Sequence, residues 1–187
     1  IIIAYAGTTL EDSSESHDRE NILLPRSQSH VQALTDMYPD KTIVVMQTVG
    51  QIDTAPFEKG AKAILWTSYN GQTQGTAVGR ILTGAANPSG RLTTTWYDAA
   101  DLEKMPINAE KTVAENGASR YYNNYNIQQA DGFPGRTYQY YSGKAAYPFG
   151  YGLGYTEFTY STPTVSKSVI TPGERLTVSV DVTNTGD

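Results

Sequence analysis

Three short apolar runs stand out in the first part of the chain: Ile1–Ala6, Thr42–Gln47 and Ala63–Thr67. Each is rich in Ile, Val, Leu or Ala and does not alternate with polar residues. That pattern predicts parallel strands covered on both faces. Between the first two, Val31, Leu34 and Met37 recur at three-residue steps with Ala33 beside them, after Pro25. This predicts a helix with Pro25 in its first turn, ended by Tyr38-Pro39-Asp40. A short helix fits between the second and third runs. Another is predicted from about Gln72 to Leu82, with Ala77, Val78, Ile81 and Leu82 inward and Gly84 as its stop. Asn87-Pro88-Ser89-Gly90 is a turn, and Leu92–Trp96 reads as a further strand. The sum is an α/β layout, a mostly parallel sheet sandwiched by helices with right-handed crossovers.

The pattern changes after Tyr97. Residues 98–147 are polar and rich in Tyr and Asn without sustained periodicity, which predicts a long ordered loop or meander. It leads into the aromatic-glycine turn Tyr147–Tyr155. From Thr164 the period becomes two, with Leu176, Val178, Val180 and Val182 alternating with polar residues. This reads as the opening of a β-sandwich, since two strands do not make a stable sheet. The expected organisation is an α/β domain over 1–160 and the first strands of a second domain over 161–187. The chain opens inside a strand, so it is expected to be a piece of a longer polypeptide.

Composition narrows the chemistry. The 187 residues are 39% hydrophobic and 18% charged, with a formal net charge of -5. No basic stripe exists to neutralise phosphates, which argues against nucleic acid. No run approaches the roughly 20 apolar residues of a membrane helix. Cys is absent, and His17 and His30 lack a metal-ligand spacing, so no metal site is expected. The absence of Cys, the 14 Tyr and the abundant Asn, Gln, Ser and Thr suit a secreted or periplasmic protein.

The densest polar feature is the loop after the first run, where Glu11, Asp12, Glu15 and Asp18 fall within eight positions. Loops at the carboxyl ends of strands hold the chemistry of α/β proteins. A general acid needs a carboxyl whose pKa is raised by burial or by a neighbouring negative charge. A solvated acidic loop explains the same residues. Arg19 beside Asp18 suggests an ion pair that holds the loop, and His17 is either a base or a surface residue. Gly71-Gln72-Thr73-Gln74-Gly75 resembles an anion cradle in outline but lacks a phosphate-loop ending; close packing of helix on sheet accounts for its glycines. Tyr121, Tyr122, Tyr125, Tyr138, Tyr140 and Tyr141 can stack on sugars or attach the long loop. Trp66 reads as core and Trp96 as the better ligand candidate.

Several stretches resemble glycoside hydrolase family 3. Thr9-Leu10-Glu11, Glu15-Ser16-His17-Asp18-Arg19, Leu24-Pro25 and Gln28 resemble its E-x-x-D-R…LP…Q stretch. Ala63–Trp66 through Tyr69, Gly71-Gln72 and Gly84 to Asn87–Leu92 are similar to its LW-x-x-Y-x-G-Q…G-x-x-NP-S-G-R-L run. Tyr147–Leu153 with Tyr155-Thr156 and Phe158 resembles its FGYGLSYT-x-F motif. Two departures stand out: Ser16 where many members have Gly, and Gly154 where Ser is usual.

The resemblance implies an architecture and an activity. It implies an N-terminal (β/α)8 barrel, then this α/β sandwich domain, then a fibronectin-III-like β-sandwich beginning after residue 160. It implies a retaining exo-β-glycosidase acting on terminal β-linked sugars, with its nucleophilic Asp in the barrel. Glu15 stands at the family's acid/base position and Glu11 is the alternative, with Asp18 and Arg19 holding the loop. No cofactor and no metal are implied, and no substrate-binding residue is assigned. Gly135–Gly143 looks more like xylosidase-type members, which favours β-xylosides over β-glucosides. The rival reading is a non-catalytic carbohydrate-binding or scaffold module.

Overall fold

The computed structural model describes residues 1–15, 19, 21–104 and 135–186. The chain divides into two compact units, Ile1–Gln74 with Leu92–Tyr151, and Gly75–Arg91 with Gly152–Asp187.

The first unit is built on a parallel sheet. Strands β1 (Ile2–Gly7), β2 (Thr42–Gln47) and β3 (Ala61–Thr67) lie in the order β1-β2-β3. In register, Ala4 pairs with Val44 and Val44 with Ile64; Ala6 pairs with Met46 and Met46 with Trp66. These residues share one face because side chains alternate along a strand. Helix α1 (Gln28–Met37) follows β1, and the single turn α2 (Ala55–Glu58) follows β2. The core lies against this one face: Ala6, Val44 and Met46 pack with Leu24, Val31, Ile52, Phe57 and Trp96. Thr42 ties β2 to the end of α1 by donating its hydroxyl to the carbonyls of Leu34 and Tyr38, both at 3.2 Å.

Several expectations need correction. The strands are not all covered on both faces. Ile3 is 46% exposed and Tyr5 55% exposed, so β1 alternates, and only central β2 is buried along most of its length. An edge position and a core on one side explain this. Leu92–Trp96 is no strand. It runs antiparallel beside Tyr147–Tyr151 through backbone bonds at Leu92 and Trp96 only, with one isolated bridge, Trp96 to Tyr147. In α1 the buried pair is Val31 and Thr35; Met37 is 67% exposed, because the helix presents positions i and i+4 to the core. Pro25 precedes the helix, and Ser27 is its N-cap. The described ends of the 98–147 segment hold two short helices, α4 (Ala99–Lys104) and α5 (Thr137–Tyr140). Tyr121, Tyr122 and Tyr125 lie outside the described residues.

In the second unit, helix α3 (Gln74–Leu82), whose first residue belongs to the first unit, ends at Gly84 in the left-handed region, φ 76°. Val78, Ile81 and Leu82 are half-buried while Ala77 is exposed. The Asn87–Gly90 turn has a clear partner: Asn87 Oδ1 accepts the Tyr155 backbone N–H at 2.7 Å, and Tyr155 donates its hydroxyl to the Ile81 carbonyl at 2.7 Å. A Cβ at Gly152 would sit 2.5 Å from the Gly90 carbonyl oxygen, so only glycine fits there. Strands β4 (Phe158–Tyr160), β5 (Thr164–Val165), β6 (Val178–Ser179) and β7 (Val182–Asn184) form two short antiparallel pairs, β4 with β7 and β5 with β6. The pairing Tyr160 to Val182, then Thr164 to Ser179, shifts register by one residue. Val165, Val178 and Val182 are all more than half exposed.

Candidate active site at the carboxyl edge of the sheet

The three parallel strands end together, and hydroxyl groups join their ends. Thr8 continues β1 by donating its backbone N–H to Gln47 O at 3.0 Å. Its buried hydroxyl oxygen accepts the Val49 N–H at 3.0 Å and shares a hydrogen bond with the Tyr69 hydroxyl at 2.9 Å. One side chain thus links the exits of β1, β2 and β3. Beside it, Thr48 accepts the Trp66 indole N–H at 2.9 Å and donates to Gly50 O. Neither the Thr8 joint nor the Thr48 joint is foreseen from sequence, because Thr carries no motif by itself. Tyr69 sits within the family-like run, which was its one signal.

From this edge the acidic loop departs. Thr9–Ser13 forms one turn, with the Asp12 and Ser13 amides donating to Thr9 O at 3.0 and 3.2 Å. Asp12 accepts the Thr9 N–H at 2.6 Å and takes a two-pronged ion pair from Arg26, at 2.9 Å to Oδ1 and 2.7 Å to Oδ2. The Arg26 hydrogen bonds, then the Thr9 amide, hold the Asp12 carboxyl below its ordinary value of 3.8. The same pairing raises Arg26. Asp12 therefore stays ionised and does structural work, not proton transfer. Sequence reasoning missed this pair; fourteen residues separate its members, and no pattern links them.

Glu11 and Glu15 are both exposed. Glu11 donates its backbone N–H to the Thr9 hydroxyl at 3.3 Å, inside the clamped turn. Glu15 lies two residues beyond it. Ser16, His17 and Asp18 lie outside the described residues, so the expected pair of Asp18 with Arg19 does too. Arg19 is half-buried. Its Nη2 donates to Gln51 O at 2.9 Å, while Nη1 is buried without a hydrogen-bond partner among the described residues. Burial lowers its pKa against the attraction of Asp12. Gln51 in turn grips the Tyr97 backbone twice, accepting its N–H at 2.8 Å and donating to its carbonyl at 2.6 Å. Arg19 thus anchors the far side of the acidic loop to the segment after β2.

The aromatic residues divide differently from expectation. Trp96 is 2% exposed and belongs to the core, meeting Trp66 edge-on at 5.4 Å and Tyr147 at 5.7 Å. Trp66, the predicted core residue, is only half-buried. Tyr147 donates to Glu58 at 2.9 Å, and burial first, with Glu58 adding, pushes its phenol up to about 12. Tyr141 donates to Asp101 at 2.7 Å, and burial raises it further still. Both are bonding tyrosines of the domain. Tyr138 is 63% exposed and lies against Phe149 at 4.7 Å. Among the described residues no three His, Cys, Asp or Glu gather as metal ligands, and no helix is long and apolar enough to cross a membrane.

Residues 1–155, the whole sheet, both strand-end joints and the acidic loop, match the model of the glycosyl hydrolase family 3 C-terminal domain. The chain belongs to this family. Among curated family 3 relatives, β-D-xylosidase 1 of Arabidopsis thaliana is 36% identical over 177 residues, covering 93% of this chain. An exo-1,4-β-xylosidase of Aspergillus awamori is 37% identical over 176 residues, covering 90%. The chain spans 20% of the length of each. Of solved structures, the β-glucosidase of Kluyveromyces marxianus bound to glucose superposes with TM-score 0.76 at 29% identity, over 99% of this chain and 21% of that one. A family 3 exo-β-xylosidase solved with a xylobiose aziridine probe gives 0.67 at 33% identity, over 86% and 20%. The family match and these superpositions agree with the parallel sheet and helices described above as the fold of a family 3 C-terminal domain.

Proposed function

We propose that this chain is the second domain of a retaining exo-β-glycosidase, acting on terminal β-xylosides in preference to β-glucosides. The observation that carries this is the family match across residues 1–155 together with relatives named as xylosidases along most of the chain. The relatives' fivefold greater length leaves room for an N-terminal (β/α)8 barrel that carries the nucleophilic Asp. Glu15 is the acid/base: it protonates the leaving oxygen, then takes the proton of the water that releases the sugar. Retention places the two carboxyls about 5–5.5 Å apart. An exposed Glu15 on a loop at the strand ends fits a proton donor that reaches out of its own domain. Glu11, inside the clamped turn, is the weaker candidate. Asp18 and Arg19 hold the loop, for which the Arg19 bond to Gln51 is the support. The reaction needs no metal and no organic cofactor.

Residues 1–160 form the α/β domain and 161–187 open a fibronectin-III-like sandwich. The exposed valines of the β5–β6 and β4–β7 pairs support a sheet that continues beyond them. Export from the cell suits the Cys-free composition. The test compares this chain with a full-length protein carrying the barrel, on aryl β-xyloside and aryl β-glucoside. The chain alone is expected to turn over neither, and the full-length protein to show the higher kcat/KM on the xyloside. Turnover by the chain alone overturns the split site. A glucoside preference overturns the choice of sugar.

A further inference from the structure

Arg26 occupies an unusual place. Its φ is 57°, and the Ser27 N–H donates to Pro25 O at 2.6 Å, so Arg26 is the central residue of a three-residue turn with positive φ. That turn is rare and strained for a residue with a Cβ. Its neighbours fix it. Leu24 is 1% exposed in the core, Gln28 Oε1 accepts the Leu24 N–H at 3.1 Å, and Leu24 O accepts the Gln28 N–H at 3.2 Å. The left-handed turn aims the guanidinium at the acidic loop. There it meets both oxygens of Asp12 and, at 3.3 Å, the Thr9 hydroxyl. A two-pronged guanidinium–carboxylate pair constrains orientation as well as distance.

We infer that Arg26 and Asp12 are positioning residues for Glu15: the clamp closes the Thr9–Ser13 turn and so sets where the proton donor leaves the sheet. This rests on the reading of Glu15 as acid/base. Glu15 stands two residues beyond the clamped turn and four before Arg19. With the clamp open, Glu15 keeps the β-bridge at Ser14 beside it but loses the closed Thr9–Ser13 turn on its N-terminal side. The loosened segment between Thr8 and Ser14 samples more conformations, and misplacing a catalytic group by about 1 Å can cost about 100-fold in rate.

Arg26→Gly separates the two roles, because glycine accepts φ 57° without a Cβ and removes only the clamp. Asp12→Asn opens the clamp from the other side. In the chain itself, amide hydrogen exchange at Thr9, Asp12 and Ser13 is expected to lose its protection in both variants, while the thermal midpoint of Arg26→Gly stays near that of the parent. In the full-length enzyme, both variants are expected to lose about 10- to 100-fold on xylobiose. On an aryl xyloside with an acidic phenol, which hardly needs the acid, the loss is about twofold or less. Adding azide is not expected to restore either, since Glu15 is still present. Unchanged exchange at these amides overturns the clamp. Lost protection with equal losses on both substrates, or with none, overturns the positioning role. If Glu15→Ala shows no azide rescue, the acid/base reading fails by itself, and the exchange result still decides whether the clamp holds the turn.

Discussion

Thr8→Val is the sharpest test of how the three strand ends are held together beneath the acidic loop. Valine copies the shape of threonine but removes its hydroxyl. Thr8 is 7% exposed, and its oxygen accepts the Val49 N–H at 3.0 Å. That amide is left without its acceptor; Val49 is 38% exposed, so the amide recovers water in part and the cost is about 1 kcal/mol. The bond to Tyr69 is also lost. Tyr69 is 39% exposed, so its hydroxyl recovers water, and this part is about 0.5–1 kcal/mol. The extra buried methyl returns up to about 0.8 kcal/mol. The net loss is about 1 kcal/mol, a fall in Tm of about 2–4 °C for a chain this size. Tyr69→Phe removes only the second bond and is expected to cost about 0.5 kcal/mol. Urea unfolding of the parent, both single variants and the double variant gives a coupling of about 0.5–1 kcal/mol if the slope is unchanged. The reasoning is refuted if Thr8→Val falls within about 0.5 kcal/mol of the parent, or if Tyr69→Phe costs as much as Thr8→Val.

Two further outcomes follow from packing and titration. Gly60→Ala puts a Cβ 2.6 Å from Thr35 O, which is backbone of α1 and cannot swing away; it is expected to lower stability by about 1–3 kcal/mol in denaturant unfolding, and a neutral result means α1 shifts freely. Tyr147, pushed up to about 12, should ionise later than ordinary tyrosines in an ultraviolet pH titration. Because its folded pKa lies above the ordinary value of 10.0, its contribution to stability is full below that value and is lost as pH rises toward about 12. Tyr147→Phe should therefore flatten the alkaline limb of the stability profile, and an unchanged limb contradicts the assignment.

Much of the sheet was legible because its apolar runs are contiguous: Thr42–Gln47 is β2 residue for residue, and β1 and β3 lie within one or two residues of expectation. What failed depended on neighbours far away in sequence. Trp96 looked like a strand-end aromatic, yet the edge-on Trp66 and Tyr147 rings enclose it. Leu92–Trp96 has strand-like residues, but its partner Tyr147–Tyr151 pairs at two places only, so no ladder forms. Ile3 and Tyr5 are apolar enough for a covered face, whereas the core lies wholly on the other side of β1. At the candidate site, the crowding of acids was visible, but their division of labour was not. Asp12 became structural through Arg26, whose left-handed turn depends on Leu24 and Gln28. Local spacing carries no information about such a pairing.

The central claim is that Glu15 is the acid/base of a retaining glycosidase, and azide rescue tests it most directly. Protonation matters most when the leaving group is poor. In the full-length enzyme, Glu15→Ala should cripple hydrolysis of xylobiose yet spare the first step on an aryl xyloside with an acidic phenol. The glycosyl-enzyme then accumulates, and azide, a nucleophile that needs no base, should speed turnover and give the β-glycosyl azide. Glu11→Ala should change binding or the pH profile without creating rescue. Rescue with Glu11→Ala and not with Glu15→Ala, or with neither, contradicts the account.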